Sequence, residues 1–405
     1  MTRHSIFRAK IIAGSAAVAI AAVASAAWAS TETSVDINAS ADYATNPFLL
    51  TSGNTETASF SITAIPRIKI EDEVTRYELA GSFQHVEYLK RYSSTQNVSI
   101  EGTGWHRFDP RTELNVAAAL SSTLTNSTNF GGLIVGPPGQ LPNPTILPII
   151  DDITLNGIRQ RSNVARMSAD LTHKPSPFDS VSVGVDAGVV RYGKSSISQE
   201  YNYAGTSLGY SRTLNDRISV GASVSLLDTD YRYVRFGDGT VISPQLTLTA
   251  KLDARWSLSA AAGVSITKTS LLVGNDTRTS LSGSLGVCRQ GERDNFCLFG
   301  SRAATPTSFG GIQNQTSVST TYSNRLTARD NLQLSAFYAQ VSAPNSFIGR
   351  SVKSVSGRAS LDHRLTERLA AFVSAGYADS FESGLSRRAN ATVSIGVSYR
   401  LGGRR

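Results

Sequence analysis

The sequence predicts an all-β fold, a transmembrane antiparallel up-and-down β-barrel of about 18 strands, with 16 to 18 as the range. Three observations carry this. Hydrophobicity alternates with a period of two along most of the chain. The polar side of that alternation is small and nearly uncharged. Short and long connections follow one another strictly in turn.

The alternation is plainest in three segments. In 255–267, Trp256, Leu258, Ala260, Ala262, Val264 and Ile266 fall on one side, and Ser257, Ser259, Gly263, Ser265 and Thr267 on the other. In 217–226, Ile218, Val220, Ala222, Val224 and Leu226 oppose Ser219, Gly221, Ser223 and Ser225. In 390–401, Val393, Ile395, Val397, Tyr399 and Leu401 oppose Thr392, Ser394, Gly396 and Ser398. A period of two is the mark of a strand, and no sustained helical spacing appears beyond residue 29. A soluble sandwich needs large apolar residues inward and many charges outward. This chain is 17% charged, and its polar face is Ser, Thr, Gly and Asn. That composition suits a watery barrel interior with the apolar face against lipid.

The connections supply the count. Short breaks rich in Asp, Asn and Arg lie near residues 72, 110, 176, 216, 254, 292, 329 and 367. Longer, looser ones fall at 46–56, 91–96, 126–158, 193–199, 235–241, 271–278, 304–314, 343–350 and 379–388. This places both termini on the short-turn side, the periplasmic side in barrels of this kind. Tyr77, Tyr210, Trp256 and Tyr399 near short turns, and Tyr88, Tyr92, Tyr192, Tyr201, Tyr203, Tyr231 and Tyr233 near long loops, are expected to form lipid-facing aromatic girdles.

Residues 1–29 read as a signal peptide: Arg3, Arg8 and Lys10, an Ala-rich core, then Ala27-Trp28-Ala29. The barrel then occupies 30–405. These three leader cations account for part of a formal net charge of +8. What remains is too mild for nucleic acid, and no basic run with interleaved aromatics occurs. Cys288 and Cys297 are the only cysteines. In an exported chain they predict a disulfide across the 289–296 hairpin rather than a metal site. His85, His106, His173 and His363 lack metal-binding spacing, and no nucleophile elbow or phosphate loop is present. Neither an enzyme nor a cofactor is expected.

By strand parity the interior carries Arg67, Lys69, Arg76, Arg107, Arg166, Lys251, Arg325, Arg358 and Arg400, against Glu78, Glu101, Asp170, Asp186 and Asp362. A basic excess on a low-dielectric wall raises the local concentration of anions. The alternative is cross-strand pairing of these charges. The 126–158 insert holds five of the 13 prolines and the acids Asp151 and Asp152. Its Leu133, Ile134, Val135, Ile146, Leu147, Ile149 and Ile150 need cover from water. As the third long loop it is expected to fold into or across the barrel mouth, with Asp151 and Asp152 toward basic wall residues.

The motifs Ala39-Ser-Ala-Asp-Tyr43-Ala-Thr-Asn46-Pro47-Phe48, Ala64-Ile-Pro66-Arg67 and Tyr77-Glu-Leu79-Ala-Gly81, with the recurrent Arg-bearing turns, resemble the outer-membrane β-barrel porin family associated with exopolysaccharide production. Ser394-Ile-Gly396-Val-Ser-Tyr399-Arg-Leu401 is similar to the closing-strand signal read by barrel-assembly machinery. The resemblance implies a passive Gram-negative outer-membrane channel or a component of polysaccharide export; with the basic interior candidates, the expectation is passage of polar or anionic solutes, or else export of an acidic exopolysaccharide. The partners to expect are outer-membrane lipid and lipopolysaccharide, the barrel-assembly machinery and polysaccharide-export components.

Overall fold

The computed structural model describes residues 30–125, 152–193, 198–232, 237–270, 274–342, 351–382 and 387–403. The proposed leader 1–29, most of the 126–158 insert including Asp151, and Tyr233 lie outside the described residues. Eighteen strands follow one another: β1 (Ser30–Ala44), β2 (Thr57–Glu71), β3 (Thr75–Tyr88), β4 (Thr95–Asp109), β5 (Thr112–Leu124), β6 (Arg161–His173), β7 (Asp179–Tyr192), β8 (Tyr201–Asn215), β9 (Ile218–Tyr231), β10 (Gly239–Lys251), β11 (Trp256–Ser270), β12 (Asn275–Gln290), β13 (Asp294–Pro306), β14 (Ile312–Arg325), β15 (Asp330–Ser342), β16 (Val352–Arg364), β17 (Leu369–Glu382) and β18 (Asn390–Gly402). Each pairs antiparallel with its sequence neighbours, and β1 pairs with β18 from Ser34 opposite Gly402 to Ala44 opposite Thr392. The sheet therefore closes and leaves no free edge, which satisfies every strand's backbone without water.

Outward residues form an apolar belt that water would not tolerate. Leu246, Leu281 and Ile395 are 71%, 73% and 65% exposed. Continuous exposure of this kind around a closed antiparallel barrel is the build of a bacterial outer-membrane protein, and the protein is one.

Seven of the eight short turns share one device, and the 291–294 turn, which opens on Gly291, closes by its backbone alone. A short polar side chain accepts backbone amides two and three residues on, as Asx and Ser/Thr turns do. Asn215 Oδ1 accepts from Arg217 and Ile218 at 2.9 and 3.0 Å. Asp253 Oδ1 accepts from Arg255 and Trp256, both at 2.7 Å. Thr366 Oγ1 does the same for Arg368 and Leu369 at 3.2 and 3.0 Å. The third residue's carbonyl then accepts from the next hairpin, as in Lys251 N to Arg217 O at 2.7 Å and Arg400 N to Arg368 O at 2.9 Å. The repeated Arg-bearing turns thus have a backbone cause: the Arg peptide joins neighbouring hairpins. The Pro66 and Gly81 motifs are also backbone features. The β2–β3 ladder is interrupted, without a change of register, between Ala64 opposite Phe83 and Arg67 opposite Ala80. Pro66 has no N–H to offer there, and a Cβ on Gly81 would sit 3.2 Å from its ring.

The girdle expectation needs correction at the long-loop end. Tyr88, Tyr192, Tyr201, Tyr203 and Tyr231 are buried inside the barrel, and Tyr92 stacks on Phe48 in a loop. Tyr201 and Tyr203 share parity with Gly205 and Ser207, the inner face of β8. Outward rings at this end belong instead to Tyr43, Phe60, Phe83, Tyr338, Tyr377 and Phe381. At the short-turn end Tyr210 and Tyr399 do face outward and are exposed.

Candidate functional site

Strand pairing places all nine of the basic candidates on the inner face. Lys69 lies opposite Glu32 and Glu78, Arg76 opposite Glu71, Arg107 opposite Glu113, and Arg400 opposite Asp36. Arg67 is opposite Ser34, Arg166 opposite Ala119, Lys251 opposite Ser257, Arg325 opposite Asn331, and Arg358 opposite Ser335. Several pairs close. Arg400 grips Asp36 through Nε and Nη2 at 2.6 and 3.2 Å. Lys69 meets Glu71 at 2.5 Å, and Arg76 meets the same carboxylate. Arg358 donates to Ser374 Oγ at 3.1 Å.

The same register corrects the expected basic excess. It adds Glu32, Asp36, Asp42, Glu71, Glu113, Asp276 and Glu382 to the inner acids, and Arg278 and Arg364 to the bases. Among the described strand residues acids and bases are then nearly balanced. Most basic candidates cluster near the short turns, where Lys69 and Arg76 share Glu71 and Arg400 pairs with Asp36. Arg166 and Arg358 are the two set deeper, on β6 and β16, on opposite sides of the ring.

The long-loop mouth is filled. The end of the third long loop, 152–160, runs into the barrel through a single 3-10 turn, Ile153–Leu155. Asp152 caps this turn by accepting from Thr154 N at 3.0 Å. Ile153 is fully buried against Phe337, Ala339 and Val341 of β15 and Val352 of β16. Leu155, two residues on, is buried against Val190 and Tyr192 of β7, Tyr201 and Tyr203 of β8, and Tyr231 of β9. One short strap therefore packs on walls far apart in the ring and crosses the lumen between them.

Polar contacts pin the strap at both ends. Asp152 accepts the Ser308 amide, and the Thr154 and Ser308 hydroxyls lie 2.8 Å apart. Asp152 thus engages neutral donors of the 307–311 loop; the basic wall partner expected for it is absent among its described contacts. Tyr231 Oη donates toward the Thr307 and Gly311 carbonyls, each at 2.9 Å. At the far end Gln160 Nε2 donates to Gly193 O at 2.8 Å, and Ser198 donates to Gln160 Oε1 at 2.6 Å. Arg159 stacks over Phe48 and Tyr92 at 4.9 and 5.5 Å.

The first long loop packs alongside. Asn46 Nδ2 donates to the Leu50 and Arg388 carbonyls at 3.0 and 2.8 Å, and Asn46 N donates to Asn390 Oδ1 at 2.9 Å. Phe48 and Leu49 are buried. Asn46-Pro47-Phe48 therefore anchors the first long loop at the mouth. Beneath it Arg387 and Glu382 form a 2.6 Å ion pair whose side chains are 8% and 2% exposed. Gly157 lies over this pair with φ of +69°, and a Cβ there would collide with the Arg387 guanidinium. Only the adjacency of Ile153 and Leu155 to apolar neighbours in sequence hinted at this strap; which walls it meets is not written in local pattern.

At the opposite end Cys288 and Cys297 face each other in register and are disulfide-bonded, with Cα atoms 4.2 Å apart. Both are buried on the inner face. The described residues contain no group of three or more His, Cys, Asp or Glu side chains arranged to hold a metal.

No protein-family model and no curated protein matches the chain. In shape it is similar to solved outer-membrane channels. OccK2 (OpdF) of Pseudomonas aeruginosa, in complex with glucuronate, is 10% identical, with a TM-score of 0.47, over 92% of this chain and 98% of that one. A BenF-like porin from Pseudomonas fluorescens Pf-5 is 10% identical, with a TM-score of 0.46, over 92% and 98%. The outer-membrane protein OpdK of Pseudomonas aeruginosa is 13% identical, with a TM-score of 0.45, over 92% and 99%.

Proposed function

We propose that the protein is a passive outer-membrane channel for small polar solutes, exported by the 1–29 leader, with its long loops outside and its mouth gated by the 152–160 strap. The observation that carries this is the burial of Ile153 and Leu155 on separate walls of a polar-lined barrel. A segment crossing the lumen sets what can pass. Such a strap is held by apolar contacts and a few hydrogen bonds, so it belongs to the less stable part of the structure, where motion is cheapest.

Planar-bilayer recording tests both halves. Wild-type barrel should conduct, with the strap giving brief closed intervals. Ile153→Asp with Leu155→Asp should raise the open fraction, because charged side chains cannot stay in the two apolar clusters. No conductance from either protein would overturn the channel, and identical conductance would overturn the gate.

The resemblance to exopolysaccharide-associated porins supports a second reading, export of an acidic polymer. An inner wall on which acids and bases are nearly balanced offers a polyanion no net basic track, so the small-solute reading is preferred. A deletion strain with reduced secretion of acidic polymer would reverse that preference.

A further inference from the structure

The lipid-facing wall over β4–β7 holds a groove of about 320 Å³. Strand pairing explains it. Ile100, Leu120, Ala165 and Val189 lie side by side across the four strands and make an apolar floor. Ala165 is small between larger neighbours, so the wall is indented there. One step nearer the long loops the aligned residues turn polar at Ser122, Asn163 and Arg191. The groove thus descends from the polar border of the barrel into its apolar belt.

Arg161 stands at the head of this groove, one row further toward the long loops. Its Nη1 donates to the Ser122 carbonyl and hydroxyl at 3.3 and 3.2 Å, and its Nη2 to the Gln96 carbonyl at 2.8 Å. All three acceptors are neutral, and among the described residues no carboxylate meets this guanidinium. Arg191, beside it, is already engaged with Glu200 at 3.5 Å. The site therefore combines an apolar channel, open to lipid, with one fixed and unneutralised cation at its polar end.

We propose that this groove seats an acyl chain of a phosphorylated glycolipid of the outer leaflet, lipopolysaccharide, with a head-group phosphate on Arg161. A planar guanidinium matches phosphate oxygens geometrically and electrostatically. The groove lies within the lipid-facing belt, so its occupant is a lipid rather than a soluble anion. The choice of the outer-leaflet glycolipid rests on the proposed placement of the long loops outside the cell; the channel reading is not required.

Native mass spectrometry of the purified barrel tests it, with bisphosphorylated lipid A, its phosphate-free form and phosphatidylglycerol as probes. Wild type should retain bisphosphorylated lipid A most strongly. Arg161→Gln should lower that retention about fivefold, the weight of one cation near an anionic lipid surface, and wild type with phosphate-free lipid should show the same loss. Ala165→Trp, which fills the groove from the lipid side, should lower retention with Arg161 intact. Heat-modifiable gel migration reports that each variant keeps its barrel. Equal retention by wild type and both variants overturns the site. Arg161-dependent preference for phosphatidylglycerol overturns the glycolipid and the outward placement of the long loops, while leaving conductance as a separate measurement.

Discussion

The hydroxyls of Thr154 and Ser308 meet at 2.8 Å although 154 residues separate them. Both residues are buried, and the contact ties the third long loop to the 307–311 loop over the lumen. A buried neutral hydrogen bond contributes about 1 kcal/mol net, and leaving one partner unsatisfied costs about 1–3 kcal/mol. Ser308→Ala should therefore loosen the strap without unfolding the barrel. The expected result is a several-fold rise in open probability in single-channel records with unchanged heat-modifiable migration.

The Arg387–Glu382 pair makes a stronger prediction. Both side chains are almost fully buried beneath the mouth. Removing one partner of a buried pair leaves an uncompensated charge, at a cost of about 3–5 kcal/mol. Glu382→Ala should accordingly expel Arg387 and disorder the neighbouring loops. Replacing both residues by apolar ones of similar volume should recover most of that loss. Protease nicking near Leu49 and Gly157, followed by mass spectrometry, would read the difference. Equal protection of Glu382→Ala and wild type would refute it.

Gly157 tests the same region from the backbone. Its φ of +69° is left-handed, and a Cβ there would strike the Arg387 guanidinium and the Leu49 carbonyl. Gly157→Ala combines backbone strain of about 1–3 kcal/mol with a steric clash. The strap should then leave its seat, raising conductance as the Ile153 and Leu155 variants do.

The legible part of this fold was the part governed by alternation within one strand. Period two identified the lipid-facing rows of β9, β11 and β18, and turn residues marked the hairpins, because both signals are local. The interior charge balance was not legible in the same way. Arg76 and Arg400 are neutralised by Glu71 and Asp36, and those partners are set by register between strands, which parity along one strand does not contain. Tyr201 and Tyr203 show the second limit. Their parity with Gly205 and Ser207 already assigned them to the inner face, but a tyrosine's amphipathic ring suits a membrane interface equally well. Only the presence of Leu155 against them explains their burial. The apolar residues from which a mouth-filling loop is expected, Leu133 to Ile150, lie outside the described residues; the walls that Ile153 and Leu155 meet depend on long-range packing.

The disulfide closes a hairpin that the ladder already pairs. In the chain-entropy view a crosslink spanning so short a loop stabilises by about 2–3 kcal/mol through the unfolded state. Replacing both Cys288 and Cys297 by Ser should thus lower the unfolding midpoint while leaving conductance unchanged, since the pair lies near the short turns and far from the strap. A change in conductance would assign the disulfide a role in the pore.

Asp253 offers a test of the turn device that is also a pH test. Its carboxylate accepts two backbone amides, those of Arg255 and Trp256, and these hold its pKa below the ordinary carboxylate value. A group whose pKa is depressed in the folded state stabilises fully above its unfolded pKa and loses that stabilisation as pH falls through the folded one. Asp253→Ala should therefore lower the unfolding midpoint at neutral pH, with the gap to wild type narrowing in acid. Asp253→Asn should match wild type far more closely, because Asn215 performs the same task in the neighbouring turn. The Asn variant should show no loss of stability from this position as pH falls through the carboxylate range, since an amide carries no proton to gain. Equal destabilisation by Ala and Asn at all pH values would show that the charge, and not the acceptor geometry, holds the turn.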